Sequence, residues 1–145
     1  MVQLRSFTKN DINILNKQYT HMTIDAIEKM ICDWDKKIYD GKYFEMFAIT
    51  DNNTVVGSIS LYQHTSIAIG AGMEIYFEYR QKGYATIGLQ LALKKAVDLG
   101  YKIAVAQVRK NNDASIALHK KSGFEIDFDF INRKGNECHY FIKAL

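Results

Sequence analysis

The chain has 145 residues, of which 48% are hydrophobic and 24% charged. This length and composition predict one globular domain over residues 1–145, and they exclude a disordered chain or a long membrane-spanning apolar segment. The net charge is only +3, and the basic pairs fall on predicted helices rather than in an aromatic-rich basic cluster. We therefore expect neither nucleic acid nor a membrane as partner.

Two cysteines and the amino-terminal segment bear on the compartment. Cys32 and Cys138 show no metal-ligand spacing, and the first residues lack the apolar core of a signal peptide. Two such cysteines are free thiols by default in a reducing environment. We therefore expect a cytoplasmic protein that holds no metal.

The first third of the sequence predicts one strand and two helices. Residues 2–8 alternate in polarity as a strand does, and Thr8 or Asn10 then caps a short helix. A second helix begins near Thr23, with apolar residues at helical spacing that continue as far as Ile38.

The middle of the chain predicts three consecutive antiparallel strands. Residues 43–50 and 54–61 are apolar runs on either side of Asp51-Asn52-Asn53, which is a strong hairpin turn signal. A third strand runs from about residue 66 to Phe77, since apolar and polar residues alternate over its second half.

A long helix follows this third strand. Between Ile87 and Leu99 the polar residues fall on one narrow stripe, so that most of the helix surface is apolar and suited to packing on a sheet. Gly100 comes directly after the last apolar residue and favours a left-handed C-cap.

The turn between that strand and helix is Arg80-Gln81-Lys82-Gly83-Tyr84-Ala85. Gly83 and Ala85 leave space for a bulky anion, and the unpaired amides of the first helical turn point outward with the positive end of the helix dipole. Arg80 and Lys82 add full charges. The turn therefore predicts a pyrophosphate site, with an ordinary glycine turn carrying incidental basic residues as the alternative.

Two other phosphate-binding motifs are excluded. A Walker loop needs Lys and then Ser or Thr after its second glycine, but Leu89 and Gln90 follow Gly88. A dinucleotide fingerprint beginning at Gly70 would have Ile75 at its third glycine position, inside a predicted strand.

The last third predicts strand, helix, strand and strand over residues 102–108, 113–121, 124–131 and 138–145. In the third of these segments Ile126, Phe128 and Phe130 are expected on one face. The strand–helix–strand crossover over residues 73–108 predicts one parallel pair in an otherwise antiparallel sheet.

Two motifs together resemble the GNAT superfamily of N-acetyltransferases. They are the R-x-x-G-x-A turn at residues 80–85 and the segment from Asn112 to Phe124, in which an Asn begins a helix that ends in Gly-Phe. The resemblance implies an α/β (α+β) fold with a mixed, mostly antiparallel central sheet of about seven strands and about four helices. One parallel strand pair would form the acyl-CoA cleft.

The resemblance also implies a reaction, in which acetyl-coenzyme A is the co-substrate and its acetyl group passes to a primary amine of a small molecule or peptide. A homodimer is common among such proteins. Arg109 and Lys110, like Lys82, would serve the coenzyme's phosphates. The residues implied in coenzyme binding are Ile75, Tyr76, Phe77, Arg80, Gln81, Lys82, Gly83, Tyr84, Ala85, Thr86, Asn112 and Ser115.

Two side chains are candidates for catalysis. Glu74 is the candidate base, with a solvated strand carboxylate as the alternative; His64, Tyr76 and Tyr140 are weaker candidates. His119 stands where the family commonly has a Tyr that protonates the departing thiolate. This difference leaves open a second function, that of a non-catalytic acyl-CoA sensor.

The acceptor is not identified by the sequence. The segments expected to carry its specificity, residues 16–25 and 132–136, match no substrate signature.

Overall fold

The computed structural model describes residues 1–145 and has a central eight-stranded sheet. Seven strands lie in the order β1-β3-β4-β5-β6-β8-β7, and β2 pairs with β3 outside this path. The strands are β1 (Val2–Ser6), β2 (Ile38–Tyr39), β3 (Lys42–Asp51), β4 (Thr54–Gln63), β5 (Ala68–Ile75), β6 (Ile103–Arg109), β7 (Glu125–Ile131) and β8 (Glu137–Ala144). The α-helices are α1 (Ile12–Gln18), α2 (Ile24–Asp35), α3 (Tyr84–Asp98) and α4 (Asp113–Lys121).

Helices cover both faces of the sheet, because its strands bury side chains on both. Phe47 and Ile49 of β3 belong to the larger core, which includes the apolar side of α3, whereas Ala48 between them belongs to a second core. Consecutive strand residues point to opposite faces. The second core packs α1 and α2 against the other face through Leu15 and Ile27. None of the helices has both the length and the apolar composition needed to cross a bilayer.

The predicted parallel pair is formed by β5 and β6, and it is short. The two strands are in register only from Ala68 with Ile103 to Gly70 with Val105. Beyond that point β5 pairs only with β4, as far as Ile75, and β6 pairs only with β8, as far as Arg109. The carboxyl ends of β5 and β6 therefore diverge and leave a gap in the sheet.

Two predicted boundaries are wrong. The helix α2 ends at Asp35, and Ile38 lies in the short strand β2 with 55% of its surface exposed. Lys37 has a φ of 54°, which breaks the helix, and no core contact is available to Ile38 that would favour its continuation. The strand β5 ends at Ile75, because the next residue, Tyr76, is buried in the second core and begins a 3-10 turn through Tyr79.

The edge strand β7 also differs from the prediction. Ile126 pairs with Phe141, but Phe128 pairs with the adjacent residue Tyr140, so Asp127 between them forms a bulge. The extra residue reverses the alternation of side chains between the two faces of the sheet. Ile126 consequently faces the opposite side of the sheet from Phe128, which stacks on Tyr140 at 4.7 Å between ring centroids.

Gly57 of β4 permits a close approach to β5, and we expect Gly57→Ala to destabilise the fold. A Cβ atom there would lie 2.3 Å from the carbonyl oxygen of Glu74 and 3.0 Å from the Cα of Ile75. Both are backbone atoms, so the strands would have to move apart, at a cost of about 1–3 kcal/mol or more. Urea unfolding measures the loss. Gly72→Ala is the control, since its Cβ would meet only side-chain atoms, the Ser60 hydroxyl at 3.2 Å and the Tyr62 ring at 3.9 Å; equal losses in the two variants would contradict the prediction.

Candidate active site

The gap between β5 and β6 opens into a cleft of about 800 Å³, within the range of ligand-binding cavities. Its walls come from β5, the following turn, the start of α3, β6, α4 and the end of β4. The gap interrupts the sheet itself. The cleft therefore reaches residues of both sheet faces, among them Ala71 and Ile75 from the core side and Gly72 from the other.

The amino terminus of α3 forms one end of this cleft. Gly83 is its N-cap in the left-handed conformation, with a φ of 84°, and no side chain caps the helix. A Cβ atom on Gly83 would have nothing within 4 Å. Since first-turn amides have no partner inside a helix, those of Tyr84, Ala85 and Thr86 are available to an anion.

Arg80 and Lys82 flank this helix end in different ways. Arg80 donates its Nε–H to the carbonyl oxygen of Ile75 at 3.0 Å, and its guanidinium lies 5.6 Å from the centroid of the Phe77 ring. Lys82 lies over the ring of Tyr79, at 5.9 Å, outside the walls of the cleft. Arg80 is therefore the basic side chain of the turn that borders the cleft.

The free edge of β5 supplies backbone donors. The amide of Tyr76 donates to the Val56 carbonyl at 2.9 Å. Because alternate amides of an antiparallel strand point the same way, the backbone amide of Glu74 also points toward β4. The amides of Met73 and Ile75 then face the diverging strand β6, where no ladder partner remains. The amide of Ile75 is therefore free to bind a ligand, whereas the amide of Tyr76 is already paired.

Most of the predicted coenzyme-binding residues line the cleft, and four do not. Tyr76, Phe77, Lys82 and Thr86 lie outside its walls; Tyr76 is buried in the second core, and Phe77 is 80% exposed. Those that line it are Ile75, Arg80, Gln81, Gly83, Tyr84, Ala85, Asn112 and Ser115. Asn112 caps α4, because its Oδ1 accepts from the Ser115 amide at 3.1 Å.

Glu74 is the only acidic side chain that lines the cleft. It is exposed, and one carboxylate oxygen accepts a hydrogen bond from the Tyr19 hydroxyl at 3.2 Å. Burial, together with the neighbouring Glu74 charge, raises the pKa of Tyr19 to about 12. Tyr19 therefore stays protonated at neutral pH and donates its hydroxyl proton to this carboxylate.

His119 lines the cleft from α4 and is 9% exposed. Its Nδ1 lies 2.7 Å from the Ser115 carbonyl oxygen, and its ring packs against Phe124 and Phe141. Burial lowers the pKa of His119, although the Ser115 hydrogen bond opposes that shift. Because a carbonyl oxygen can only accept, the proton of the neutral ring resides on Nδ1, and Nε2 carries none.

A family model described as an acetyltransferase (GNAT) domain matches residues 2–125. The chain belongs to this GNAT family. Comparison with the sequences of curated proteins gives no match. The matched region of this GNAT domain includes both motifs singled out in the sequence, the 80–85 turn and the segment from Asn112 to Phe124.

Solved structures of acetyltransferases share the fold. One is a spermidine N-acetyltransferase from Vibrio cholerae in complex with CoA and spermine, with a TM-score of 0.79 and 17% identity over 99% of this chain and 95% of that one. Another is a putative acetyltransferase from Salmonella typhimurium with acetyl-CoA, with a TM-score of 0.75 and 17% identity over 99% and 94%. A third, also from Salmonella typhimurium, modifies the N-terminal serine of a ribosomal subunit protein; its TM-score is 0.81, with 15% identity over 99% and 95%.

The weaker candidate bases lie outside the cleft of this GNAT domain. The Tyr76 hydroxyl is buried without a hydrogen-bond partner, and burial raises the pKa of Tyr76 above its usual range. Burial and the nearby Lys42 lower the pKa of His64, which packs on Tyr62 at 5.1 Å. Tyr140 is stacked on Phe128. Glu74 is thus the candidate that borders the space open to a substrate.

Three side chains of the site were not singled out from the sequence: Tyr19, Tyr62 and Gln107. Tyr62 and Gln107 line the cleft, and Tyr19 reaches Glu74 from a position 55 residues away in the chain. Tyr19 falls within the 16–25 segment that was expected to carry acceptor specificity, but nothing local to it indicated a partner. No group of three or more His, Cys, Asp or Glu side chains is placed to hold a metal ion.

Proposed function

We propose that this protein is an N-acetyltransferase that passes the acetyl group of acetyl-CoA to a primary amine by direct attack. The observation that carries the proposal is the continuity of one cleft. It joins an uncapped helix terminus suited to a pyrophosphate with the only carboxylate that lines the cleft, Glu74. Solved structures of this fold include one in complex with CoA and spermine and one with acetyl-CoA.

The residues present fit the coenzyme chemically. The amides of Tyr84 and Ala85, which line the cleft, would bind the pyrophosphate, and the free edge of β5 would bind the pantetheine arm. Acetyl-CoA supplies a thioester carbonyl that an amine can attack. The Ile75 amide would donate to its oxygen, and thereby stabilise the charge that develops there.

Glu74 would accept the proton that the amine must lose, either directly or through one water. Tyr19 would orient this carboxylate by donating to one oxygen and leaving the other free. The acceptor would enter from the face on which Glu74 and Tyr19 lie, opposite to the face covered by α3. This route separates the acceptor from the pyrophosphate end of the cleft.

A non-catalytic acyl-CoA sensor is the second candidate, favoured by His119 alone, because a neutral ring whose Nε2 lacks a proton cannot protonate a thiolate. A panel of primary amines with acetyl-CoA, followed by release of free thiol, distinguishes the two functions. Transfer to any amine at a rate above the uncatalysed one supports the enzyme. Tight binding of acetyl-CoA without thiol release across the panel would favour the sensor.

We expect Glu74→Gln to lower turnover by about tenfold on the acid side of the pH profile and to recover as the amine loses its own proton at high pH. The amide is isosteric but takes no proton. Coenzyme binding should change little, as measured by titration calorimetry. Tyr19→Phe, which removes the donor to Glu74, should show the same pH dependence with a smaller loss.

Glu78→Gln is the matched control for that experiment. Glu78 is also exposed and also accepts a hydrogen bond from the α1–α2 region, from Gln18 at 3.0 Å, but it lies outside the cleft. Its profile should follow that of the unmodified protein. A Glu74→Gln profile parallel to that of the unmodified protein at every pH would remove Glu74 from the mechanism.

A further inference from the structure

A second concavity of about 520 Å³ adjoins the cleft and shares Gln107 with it. Its walls come from the end of β6, the end of β7 and the turn between β7 and β8. Arg109, Arg133 and Lys134 line it together with Phe130, and no acidic residue does. We call this surface the basic groove.

The three cations of the basic groove are uncompensated. Arg109, Arg133 and Lys134 are exposed, and none of their charged groups takes part in an ion pair or an intramolecular hydrogen bond. Asp129 precedes Phe130 of the groove on β7, and its carboxylate is already bound by Lys110 at 3.0 Å and by His139 at 2.6 Å. The groove therefore presents positive charge to a ligand.

The basic groove and Glu74 lie on the same face of the sheet. Val108 and Ile75 both pack into the core beneath α3, so their neighbours Arg109 and Glu74 point to the opposite face. That is the face from which the acceptor would reach the cleft. Continuing the parallel register from Gly70 with Val105 would bring Glu74 level with Arg109, but across strands that have diverged beyond the usual spacing of about 4.8 Å.

We propose that the acceptor is a primary amine joined by a flexible chain of several bonds to a carboxylate or phosphate. This inference rests on the proposed function, since it places the amine beside Glu74 and the anion between Arg109 and Arg133. The divergence of β5 and β6 favours a chain longer than the single carbon that separates amine and carboxylate in an α-amino acid. A polyamine is disfavoured, because its second ammonium group would meet Arg109, Arg133 and Lys134.

Three amines of equal chain length test the proposal: aminohexanoate with a terminal carboxylate, hexylamine with a neutral end, and hexanediamine with a second ammonium. We expect kcat/KM for acetylation to be about 1.5-fold to fivefold higher for aminohexanoate than for hexylamine, the range for exposed ion pairs, and lowest for hexanediamine. The preference should decrease with added salt, which screens exposed charges.

Substitutions in the basic groove test whether its cations cause the preference for aminohexanoate. The double variant Arg133→Gln/Lys134→Gln should lose the preference for aminohexanoate by raising KM for that amine, with hexylamine and acetyl-CoA unchanged. Lys94→Gln is the control, because Lys94 is an exposed, unpaired cation on α3, away from both concavities. An increase in KM for acetyl-CoA alone would show that the groove serves the coenzyme's phosphates, and would overturn the proposal, as would equal kcat/KM for the three amines.

A binding measurement separates this proposal from the proposed function. Calorimetric titration of the three amines into protein saturated with coenzyme A reports the same preference without turnover. Absence of acetyl transfer to all three amines would contradict the transferase, and the binding preference would still support the anionic acceptor. Equal binding of the three amines would contradict the anionic acceptor even if transfer occurs.

Discussion

Ala85→Glu is expected to abolish coenzyme A binding while the protein remains folded. Ala85 lies in the uncapped first turn of α3 and lines the cleft, so the new carboxylate would compete with a pyrophosphate for the same amides and repel it. Loss of two charge-assisted hydrogen bonds at about 1.5–3 kcal/mol each corresponds to at least a hundredfold weaker binding. Stability should not suffer, because a negative charge is favourable at a helix amino terminus.

The measurement is the thermal stabilisation that coenzyme A confers, with titration calorimetry for the affinity. Ala85→Gln separates charge from bulk, since it adds a side chain of nearly the same size without the carboxylate, and it should weaken binding less. Gln90→Glu introduces the same charge at an exposed position of the same helix, outside the cleft, and should leave binding unchanged. Full stabilisation of Ala85→Glu by coenzyme A would show that the pyrophosphate lies elsewhere.

The features that sequence predicted correctly are those that depend on neighbouring residues. The left-handed conformation of Gly100 follows from local backbone chemistry and the Asn112 cap from the motif that its segment resembles, and both are present. The parallel strand pair followed from the strand–helix–strand order, because such a crossover leaves few topologies open.

The features that sequence did not predict depend on contacts between distant segments. The spacing of Ile38 fits a helix, but the turn at Lys37 and the pairing of Ile38 with Tyr43 remove it from α2. The hydrogen bond between Tyr19 and Glu74 joins the end of α1 to β5, and it depends on the second core, which packs α1 against the sheet. The basic groove likewise combines Arg109 at the end of β6 with Arg133 in the turn between β7 and β8, and their separation along the chain gave no indication of a shared surface.

The protonation state of His119 decides whether this side chain can supply a proton to the departing thiolate. Its Nδ1 proton is held by the Ser115 carbonyl, so only the doubly protonated ring offers a proton from Nε2 toward the cleft. Burial lowers the pKa of His119 below its usual value near 6.5, which means that the imidazolium is present on the acid side and is lost as pH rises. The amine, in contrast, becomes reactive as pH rises. The departing thiolate, with a usual thiol pKa near 8.5, needs only modest help.

Replacement of His119 by Tyr is therefore expected to retain or raise turnover, by a factor that grows from about pH 6 to about pH 9. A phenol keeps its proton up to about pH 10 and would supply the donor that the neutral imidazole lacks. His119→Phe fills the same space without the hydroxyl, and we expect Tyr to exceed Phe by about tenfold to a hundredfold, at or below the lower end of the range for general acids, because a thiolate needs only modest help. His119→Ala should show a similar loss relative to the unmodified protein on the acid side, where the imidazolium is present, and a smaller one as pH rises. Melting curves check that the larger rings, beside Phe124 and Phe141, do not unfold α4.

The two functions predict different outcomes from these variants. If the unmodified protein acetylates amines, its rate should exceed that of His119→Phe at low pH and approach it at high pH, as the imidazolium disappears. Identical rates for the unmodified protein and His119→Phe at every pH would exclude His119 as an acid. If the unmodified protein binds acetyl-CoA but transfers nothing, and His119→Tyr alone transfers, then the imidazole is what keeps this GNAT domain a sensor.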